Sequence, residues 1–176
     1  MVADLEPART VALHARPDGM AIGPLGSDAA GIAEAAAAAT LPGHVDHGIW
    51  LGVDRVEYWR QLLHGEGPCG RVLAEPSRLV RAPGGAIAAA AVVTAMPATD
   101  WWQGDPWIPE IFVVAGFQGR GVGGLLLEHA LGACAHSGSQ RVGLTVSDGN
   151  PARRLYERFG FRAFRSTWFI ARSLWE

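Results

Sequence analysis

The sequence predicts a single domain of the α/β (α+β) class, and three observations support this prediction. The chain has 176 residues, of which 49% are hydrophobic and 18% charged, a composition that suits one compact core. Two helical segments occupy its first third and precede a continuous apolar run that is typical of a buried strand. After that run, strand and helix patterns alternate in the order β, loop, α, β, α, β.

The N-terminal part predicts a hairpin and a first helix. Segments 10–15 and 20–25 flank a Pro-Asp-Gly turn, which is a signal for a short hairpin. The run 33–40 consists mostly of alanine, a strong helix former, and either Ser27 or Asp28 is placed to cap the helix that contains it. We expect these elements to cover the sheet that follows.

The middle of the chain predicts a second helix and a second hairpin. Residues 53–64 repeat apolar side chains at helical spacing, and Gly65 is placed to end that helix. Segments 78–82 and 86–96 lie on either side of a Pro-Gly-Gly turn, and the later one is apolar throughout, so both of its faces should be buried. The predicted apolar face of the helix comprises Val53, Val56, Tyr58, Trp59, Leu62 and Leu63.

The C-terminal part continues the alternation. A loop with Trp101, Trp102 and Trp107 leads into a strand from Ile108 to Val114, and four glycines follow within residues 119–124. The later predicted elements are a helix from about Val122 to His136, a strand at 141–147, a helix from Pro151 to Phe159 and an extended stretch at 162–172.

The four clustered glycines predict a ligand that carries phosphate. A glycine loop between a strand and a helix lets several backbone N–H groups converge with the positive end of the helix dipole. A tight turn alone needs only one or two glycines, so this density favours an anion site.

A dinucleotide is the weaker of two candidate ligands. Gly119, Gly121 and Gly124 fit the fingerprint G-x-G-x-x-G, and Asp148 lies close to where a ribose-binding acid would be. A doubly wound dinucleotide fold needs several further βα units, however, and only 52 of the 176 residues follow Gly124.

Two segments point to the other candidate. The stretch IFVVAGFQGRGVGGLLL resembles the acetyl-CoA motif of the GNAT superfamily of N-acetyltransferases, with Gln118, Gly121 and Gly123 in the motif positions. The stretch NPARRLYERFGF resembles the second signature of that family. Its matching residues are Asn150, Tyr156, Gly160 and Phe161.

This resemblance covers most of the chain and is sharp from Ile108 to Phe161. It departs from the family at Ala115, where proline is frequent. The resemblance implies a mixed, mostly antiparallel central sheet that splays between its two central strands and is flanked by about four helices. It also implies one N-acetyltransferase domain over residues 1–176, with 9–65 covering the acceptor side and an acetyl-CoA core at about 77–172.

The resemblance implies where acetyl-CoA binds. Backbone groups of one strand would pair with the pantetheine arm, the loop N–H groups would hold the pyrophosphate, and Leu144 to Ser147 would line the opposite wall. Asn150 precedes Pro151, so helix capping alone also explains it. The implied binding residues are Ile111, Phe112, Val113, Gln118, Gly119, Arg120, Gly121, Val122, Gly123, Gly124 and Asn150.

Two residues are the candidates for catalysis. Resemblance makes Tyr156 the general acid that protonates the departing CoA thiolate, although its helical spacing equally fits a core tyrosine. Glu110 is the carboxylate best placed to deprotonate the amine. The alternatives are that Glu110 is an ordinary charge at the strand edge, and that a water chain or another position takes the proton.

The implied activity is direct transfer of acetyl from acetyl-CoA to a primary amine of a small molecule or peptide. A non-catalytic acyl-CoA-binding module is the alternative from another class. The acceptor stays open among antibiotic amines, polyamines, amino acids and peptide N-termini, and so does the acyl length. We treat an acceptor wall formed by Trp101, Trp102 and Trp107 as a hypothesis.

Composition and charge argue against several other partners. All 15 basic residues are arginine and the net charge is only -2, so no basic stripe predicts nucleic-acid binding. The N-terminus lacks the basic and apolar regions of a signal peptide, and we expect a cytoplasmic protein without a membrane segment. An incomplete C-terminal sheet edge leaves a homodimer open.

Histidines and cysteines suggest no metal site and no disulfide. His44 and His47 are spaced as a pair, but no matching second pair accompanies them, and we expect no metal. Cys69 and Cys134 are too few for a disulfide framework, and we expect reduced thiols.

Overall fold

The computed structural model of the protein describes residues 1–5, 17 and 19–166. These residues form seven strands, four α-helices and two short 3-10 helices, at Gly48–Trp50 and Ala115–Phe117. In chain order the main elements are β1 (Val2–Asp4), β2 (Ala21–Pro24), α1 (Ala29–Ala39), α2 (Arg55–His64), β3 (Arg71–Val72), β4 (Arg78–Arg81), β5 (Ile87–Ala95), β6 (Pro106–Val113), α3 (Val122–His136), β7 (Arg141–Leu144) and α4 (Arg153–Arg158).

The strands form one mixed sheet. Its main path runs β1-β7-β6-β5-β4-β2, and β3 pairs with β5 beside that path. Every pair of strands is antiparallel except β6 and β7, which are parallel. The predicted mostly antiparallel sheet with about four helices is confirmed. The sheet does not have the parallel, doubly wound form that a dinucleotide-binding fold requires.

Strand β5 is the buried centre of the sheet, as its unbroken apolar run predicts. Seven of its nine residues are buried. Its side chains alternate between the two faces, so Ala90 and Val92 join the core under α1 and α2, whereas Ala89 and Ala91 pack with Leu126 of α3. The small alanine side chains let helices approach the sheet closely from both sides.

Helices α1 and α2 both begin at an aspartate side-chain cap, of which the sequence predicts the first. An Asp28 carboxylate oxygen accepts a hydrogen bond from the N–H of Gly31 at 2.9 Å, so Asp28 is the cap of α1. Asp54 accepts from the N–H of Glu57 at 3.0 Å at the start of α2. Gly65 ends α2 with a φ of 71°, a left-handed conformation that favours glycine.

The apolar face of α2 is narrower than predicted. Trp59 and Leu62 are buried, but Val53 and Val56 are 42% and 48% exposed. The prediction was wrong for these two valines because Val53 precedes the first helical residue and Val56 lies in the first turn, ahead of the part that packs on the sheet.

The two ends of the chain differ from the sequence prediction. β1 pairs with β7, but three residues are too few to show an alternating pattern. β2 pairs with β4, and its predicted hairpin partner at 10–15 lies outside the described residues. Of the stretch 162–172, Arg162 bridges Val2, residues 163–166 have no regular structure, and the remainder lies outside the described part.

Strands β6 and β7 pair at only two positions. Trp107 lies opposite Gly143, and Ile108 lies opposite Leu144. Gly143 is required here because a Cβ atom would overlap the Trp107 ring. The next residue, Pro109, has no N–H to donate, and the register between β6 and β5 shifts at this point, which indicates a bulge. Beyond it the two strands separate.

Candidate active site

A gap opens in the sheet where β6 and β7 separate. The N–H of Val114 donates to the carbonyl of Ala88 at 2.9 Å, and the alternation of antiparallel bonding therefore turns the backbone of Phe112 toward β5. The backbone groups of Ile111 and Val113 face the gap instead. Two of the three positions expected to pair with a pantetheine arm are thus open, while Phe112 is committed to the sheet.

The walls of the gap are built differently. On one side the Gln118 amide nitrogen donates to the carbonyl of Val113 at 2.9 Å, so Gln118 folds back over the end of β6. On the other side β7 ends at Leu144, three residues earlier than predicted, and Leu144 is buried while Thr145 is exposed. The segment 145–147 leaves the sheet beside the gap.

The glycine loop ends at the N-terminus of α3. Gly119 and Gly121 have φ values of 75° and 80°, and Gly121 directly precedes the helix without any side-chain cap. The first N–H groups of this 15-residue helix therefore have no side-chain acceptor. A Cβ atom at Gly123 would lie 3.2 Å from Leu155 and 3.6 Å from Val113, so glycine lets α3 start close to α4 and β6. This arrangement fits an anion such as pyrophosphate.

Three further loop residues complete this end of the site. Arg120 is exposed, and its guanidinium lies 5.7 Å from the centre of the Phe117 ring, so it adds positive charge to the loop. Val122 and Gly124 are buried and anchor the first turn of α3. The loop thus combines a firmly packed first helical turn with the exposed cationic side chain of Arg120.

Glu110 lies on β6 and receives a hydrogen bond from α2. The Tyr58 hydroxyl donates to a Glu110 carboxylate oxygen at 2.6 Å. Burial raises the pKa of Glu110 to about 7, and the charge of Asp46 raises it as well, while the Tyr58 bond and Arg55 act in the opposite direction. A carboxyl group with this pKa is suited to general base catalysis near neutral pH.

Tyr156 lies on α4 and is buried against Phe161, with 6.0 Å between the ring centres. Burial raises the pKa of Tyr156 above its usual value, and the charges of Asp46 and Glu110 raise it further. The phenol therefore keeps its proton at neutral pH. Its interaction with these carboxylates places Tyr156 and Glu110 in one electrostatic environment, although they come from different elements.

Asn150 connects α4 to the loop between α1 and α2. Its side-chain oxygen accepts from the N–H of Ala152 at 2.8 Å, a bond that closes the turn before α4. The predicted capping role is not confirmed, because α4 begins at Arg153, two residues later than predicted, and its cap residue is Ala152. Its side-chain nitrogen donates to Asp46 at 2.7 Å. This bond ties α4 to the loop that carries Asp46, whose charge is one of those that raise the pKa of Tyr156. A contact between Asn150 and the cofactor stays a prediction.

The two histidines of this loop shape the backbone. The His44 ring accepts from the N–H of Asp46 at 3.1 Å, and the His47 ring lies 2.8 Å from the carbonyl oxygen of Thr40. Within residues 1–5, 17 and 19–166, no cluster of three or more His, Cys, Asp or Glu residues could hold a metal ion.

The tryptophan loop lies at the closed end of the β6–β7 pair. Trp102 and Trp107 are buried with 4.9 Å between their ring centres, and Trp101 packs on the edge of Trp107. These rings fill the core beside the paired positions. The aromatic side chain that contacts Glu110 is instead Tyr58, whose ring centre lies 5.1 Å from that of Trp50.

Sequence reasoning did not identify Tyr58, Asp46 and Arg55 as site residues. The helical spacing predicts Tyr58 as part of the apolar face of α2, and no sequence pattern singles out its hydroxyl. Asp46 stands between His44 and His47, whose spacing is the more conspicuous feature of this loop. A carboxylate in a glycine-flanked loop is too common a pattern to indicate a site before the fold is known.

Two general features of the described residues concern the environment of the chain. Among them, no helix combines the length and apolarity needed to cross a membrane. Cys69 and Cys134 are both free thiols, and burial raises the pKa of Cys134 to about 11.

Comparisons with known proteins agree with the fold and the loop geometry. Residues 46–161 match the model of the acetyltransferase (GNAT) family, a span of more than half of the chain. The fold and this match support an acyltransferase. The chain belongs to the acetyltransferase (GNAT) family, as its glycine loop and tyrosine signature predict. A comparison with curated proteins found no match.

Solved structures with the same fold include several acetyltransferases. The GCN5-related N-acetyltransferase from Sphaerobacter thermophilus is 21% identical with a TM-score of 0.60 over 90% of this chain, which spans only 46% of that longer protein. The ribosomal-protein-alanine N-acetyltransferase from Brucella melitensis biovar Abortus 2308 is 17% identical with a TM-score of 0.58, covering 86% of this chain and 98% of its own.

A third similar structure is AAC(6')-Iy in complex with the bisubstrate analog CoA-S-monomethyl-acetylneamine. It is 17% identical with a TM-score of 0.59, and the match covers 88% of this chain and 98% of that protein. At these identities the similarity concerns the fold alone.

Proposed function

We propose that this protein transfers an acetyl group from acetyl-CoA to a primary amine by direct attack in a ternary complex. The observation that carries the proposal is the gap between β6 and β7. It has backbone groups of Ile111 and Val113 that no strand pairs on one side, with the Val113 carbonyl bonded only by the Gln118 side chain, a phosphate-type loop at its end, and Glu110 and Tyr156 beside it. Membership of the acetyltransferase family supports the donor.

The residues present fit acetyl-CoA. The uncapped N-terminus of α3 and the N–H groups of residues 119–124 would hold the pyrophosphate, with Arg120 adding charge. The open backbone of Ile111 and Val113 would pair with the pantetheine arm, and Gln118 would release the Val113 carbonyl to allow this. When bound, acetyl-CoA supplies an acyl group activated as a thioester.

Glu110 is the proposed base. An alkyl ammonium has a pKa of about 10 and must lose a proton before its nitrogen can attack. Because the pKa of Glu110 is about 7, a substantial fraction of the carboxyl is ionised at neutral pH and still basic enough to accept a proton, directly or through water.

Tyr156 is the proposed acid. Its pKa is raised, so the phenol holds a proton available to the leaving sulfur throughout the physiological range. The four acceptor classes considered from the sequence all present such an amine. The carboxylates of Asp46 and Glu110 and the rings of Trp50 and Tyr58 give the acceptor side an anionic and aromatic lining.

The test is release of CoA thiol from acetyl-CoA, measured against an aminoglycoside, a polyamine, amino acids and a short peptide, with a no-acceptor control. We expect release that depends on one class of amine. Calorimetric binding of acetyl-CoA without release for any class would favour the non-catalytic module, and absence of binding would exclude both functions.

Tyr156→Phe separates catalysis from binding. It should lower kcat by about 100-fold, within the range of general acid catalysis, and leave the Kd for acetyl-CoA unchanged. An equal loss of rate and affinity would show that Tyr156 has only a structural role.

A further inference from the structure

We propose that Tyr58 is a positioning residue: its hydroxyl fixes one oxygen of the Glu110 carboxylate and thereby leaves the other oxygen to take the proton of the acceptor amine. This inference rests on the proposed function. It assigns a task to a residue of α2, on the acceptor side, that neither family motif contains.

The hydrogen bond between the two residues is short and specific. The Tyr58 hydroxyl donates to Oε1 of Glu110 at 2.6 Å, the length of a bond between a hydroxyl and a charged carboxylate. Among the described residues no other hydrogen bond to Glu110 forms, so Oε2 has no partner. One carboxylate oxygen is therefore held, and the other is left for a ligand.

Packing fixes the Tyr58 ring relative to β6. The ring meets Trp50 edge to face at 5.1 Å and Trp59 at 6.0 Å. Trp59 is fully buried and in turn contacts Phe112 of β6, with 5.9 Å between ring centres. Because Phe112 lies two residues from Glu110 on the same strand, the donor and acceptor of the hydrogen bond are held by one continuous aromatic cluster.

Other ionisable groups act on Glu110 through space. Asp46 disfavours its charged form and Arg55 favours it, and Glu110 in turn raises the pKa values of Tyr156 and Cys69. Arg55 is occupied elsewhere, since its guanidinium donates to the Thr40 hydroxyl at 2.9 Å and lies over the Trp50 ring. Tyr58 alone among the described residues orients the carboxylate by direct contact.

The test is Tyr58→Phe, which keeps the packed ring and removes the hydroxyl. In wild type this hydrogen bond favours the ionised carboxylate, so its loss should raise the pKa of Glu110 by about one unit. The rate of acetyl transfer should then fall about tenfold at pH 6 and change little at pH 9. We would measure kcat/KM across this range and titrate ¹³C-labelled glutamate carboxyls without substrate.

The chain offers a matched control because it has only two tyrosines. Tyr156→Phe should lower the rate at every pH and leave the acid limb of the profile in place. In a Glu110→Gln background, Tyr58→Phe should have no further effect on the pH dependence, since the two residues act as a unit.

The outcomes distinguish this inference from the proposed function. Acetyl transfer by wild type, together with an unmoved Glu110 pKa or a pH-independent loss in Tyr58→Phe, would overturn the role of Tyr58 alone. Absence of transfer to every acceptor would overturn the proposed function, and with it the inference, whatever the carboxyl titration shows.

Discussion

Replacing Glu110 by glutamine should make the folded protein more stable at alkaline pH while removing its proposed base. Folding raises the pKa of Glu110 from 4.5 to about 7, so the folded state retains a proton that the unfolded state releases between these values. The free energy of unfolding of wild type therefore falls as pH rises through this window and stays lower above it.

The size of the effect follows from the same shift. A difference of about 2.5 units corresponds to about 3 kcal/mol, an upper limit because Glu110 is only partly buried. Glutamine carries no charge to desolvate, and its carbonyl can still accept the Tyr58 hydroxyl. Glu110→Gln should match wild type near pH 4.5 and exceed its free energy of unfolding by about 1 to 3 kcal/mol at pH 8.

Urea unfolding at the two pH values provides the assay. Glu75→Gln is the control, because the Glu75 side chain is 89% exposed and its neutralisation should cause little pH-dependent change. A stability difference between Glu110→Gln and wild type that is the same at both pH values would refute the reasoning. It would mean that burial does not penalise the charged form of Glu110.

Three other substitutions test the remaining parts of the site. Gly143→Ala should lower the free energy of unfolding by about 1 to 3 kcal/mol because the new Cβ overlaps an indole ring, whereas Gly132→Ala in α3 meets no atom within 4 Å and should stabilise the helix in the same urea assay. Gly121 has a φ of 80°, which alanine rarely adopts, so Gly121→Ala should distort the glycine loop and weaken the binding of acetyl-CoA measured by calorimetry. Gly26→Ala is the control, because Gly26 has a φ of 74° outside the loop and its substitution should leave the affinity unchanged. Equal affinities of the two variants would contradict the role of the loop. Asp46→Asn removes a charge that raises the pKa of the base, so the acid limb of the rate profile should move to lower pH, and a shift to higher pH would be inconsistent with this geometry.

Much of the fold could be predicted because its signals are local. The cap at Asp28, the helix stop at Gly65 and the unbroken apolar run of β5 each act within a few residues, and the structure confirms them. The pairing of β1 with β7 could not be predicted in this way. It joins segments 139 positions apart, and nothing in Val2–Asp4 specifies a partner.

The residues of the candidate site also divide into those with a local sequence signal and those without one. The glycine loop and Tyr156 belong to the two segments that resemble the signatures of the acetyltransferase (GNAT) family, so their spacing can be recognised in the sequence. Tyr58 and Asp46 reach Glu110 and Asn150 from 52 and 104 positions away. These contacts form only because α1, α2 and the connecting loop pack over the sheet. The spacing of residues within those segments does not reveal that packing.

The two-position pairing of β6 and β7 gives the sheet an edge inside the molecule. The amide hydrogens of Ile111 and Val113 should exchange with solvent much faster than that of Phe112 between them, although all three lie in one central strand. An extended ligand that bonds these amides would act as a missing strand, and its binding free energy would add to the resistance of the whole sheet to unfolding. At a concentration 100 times its Kd the gain is about 2.7 kcal/mol, so the ligand-free protein is the less complete form of the fold.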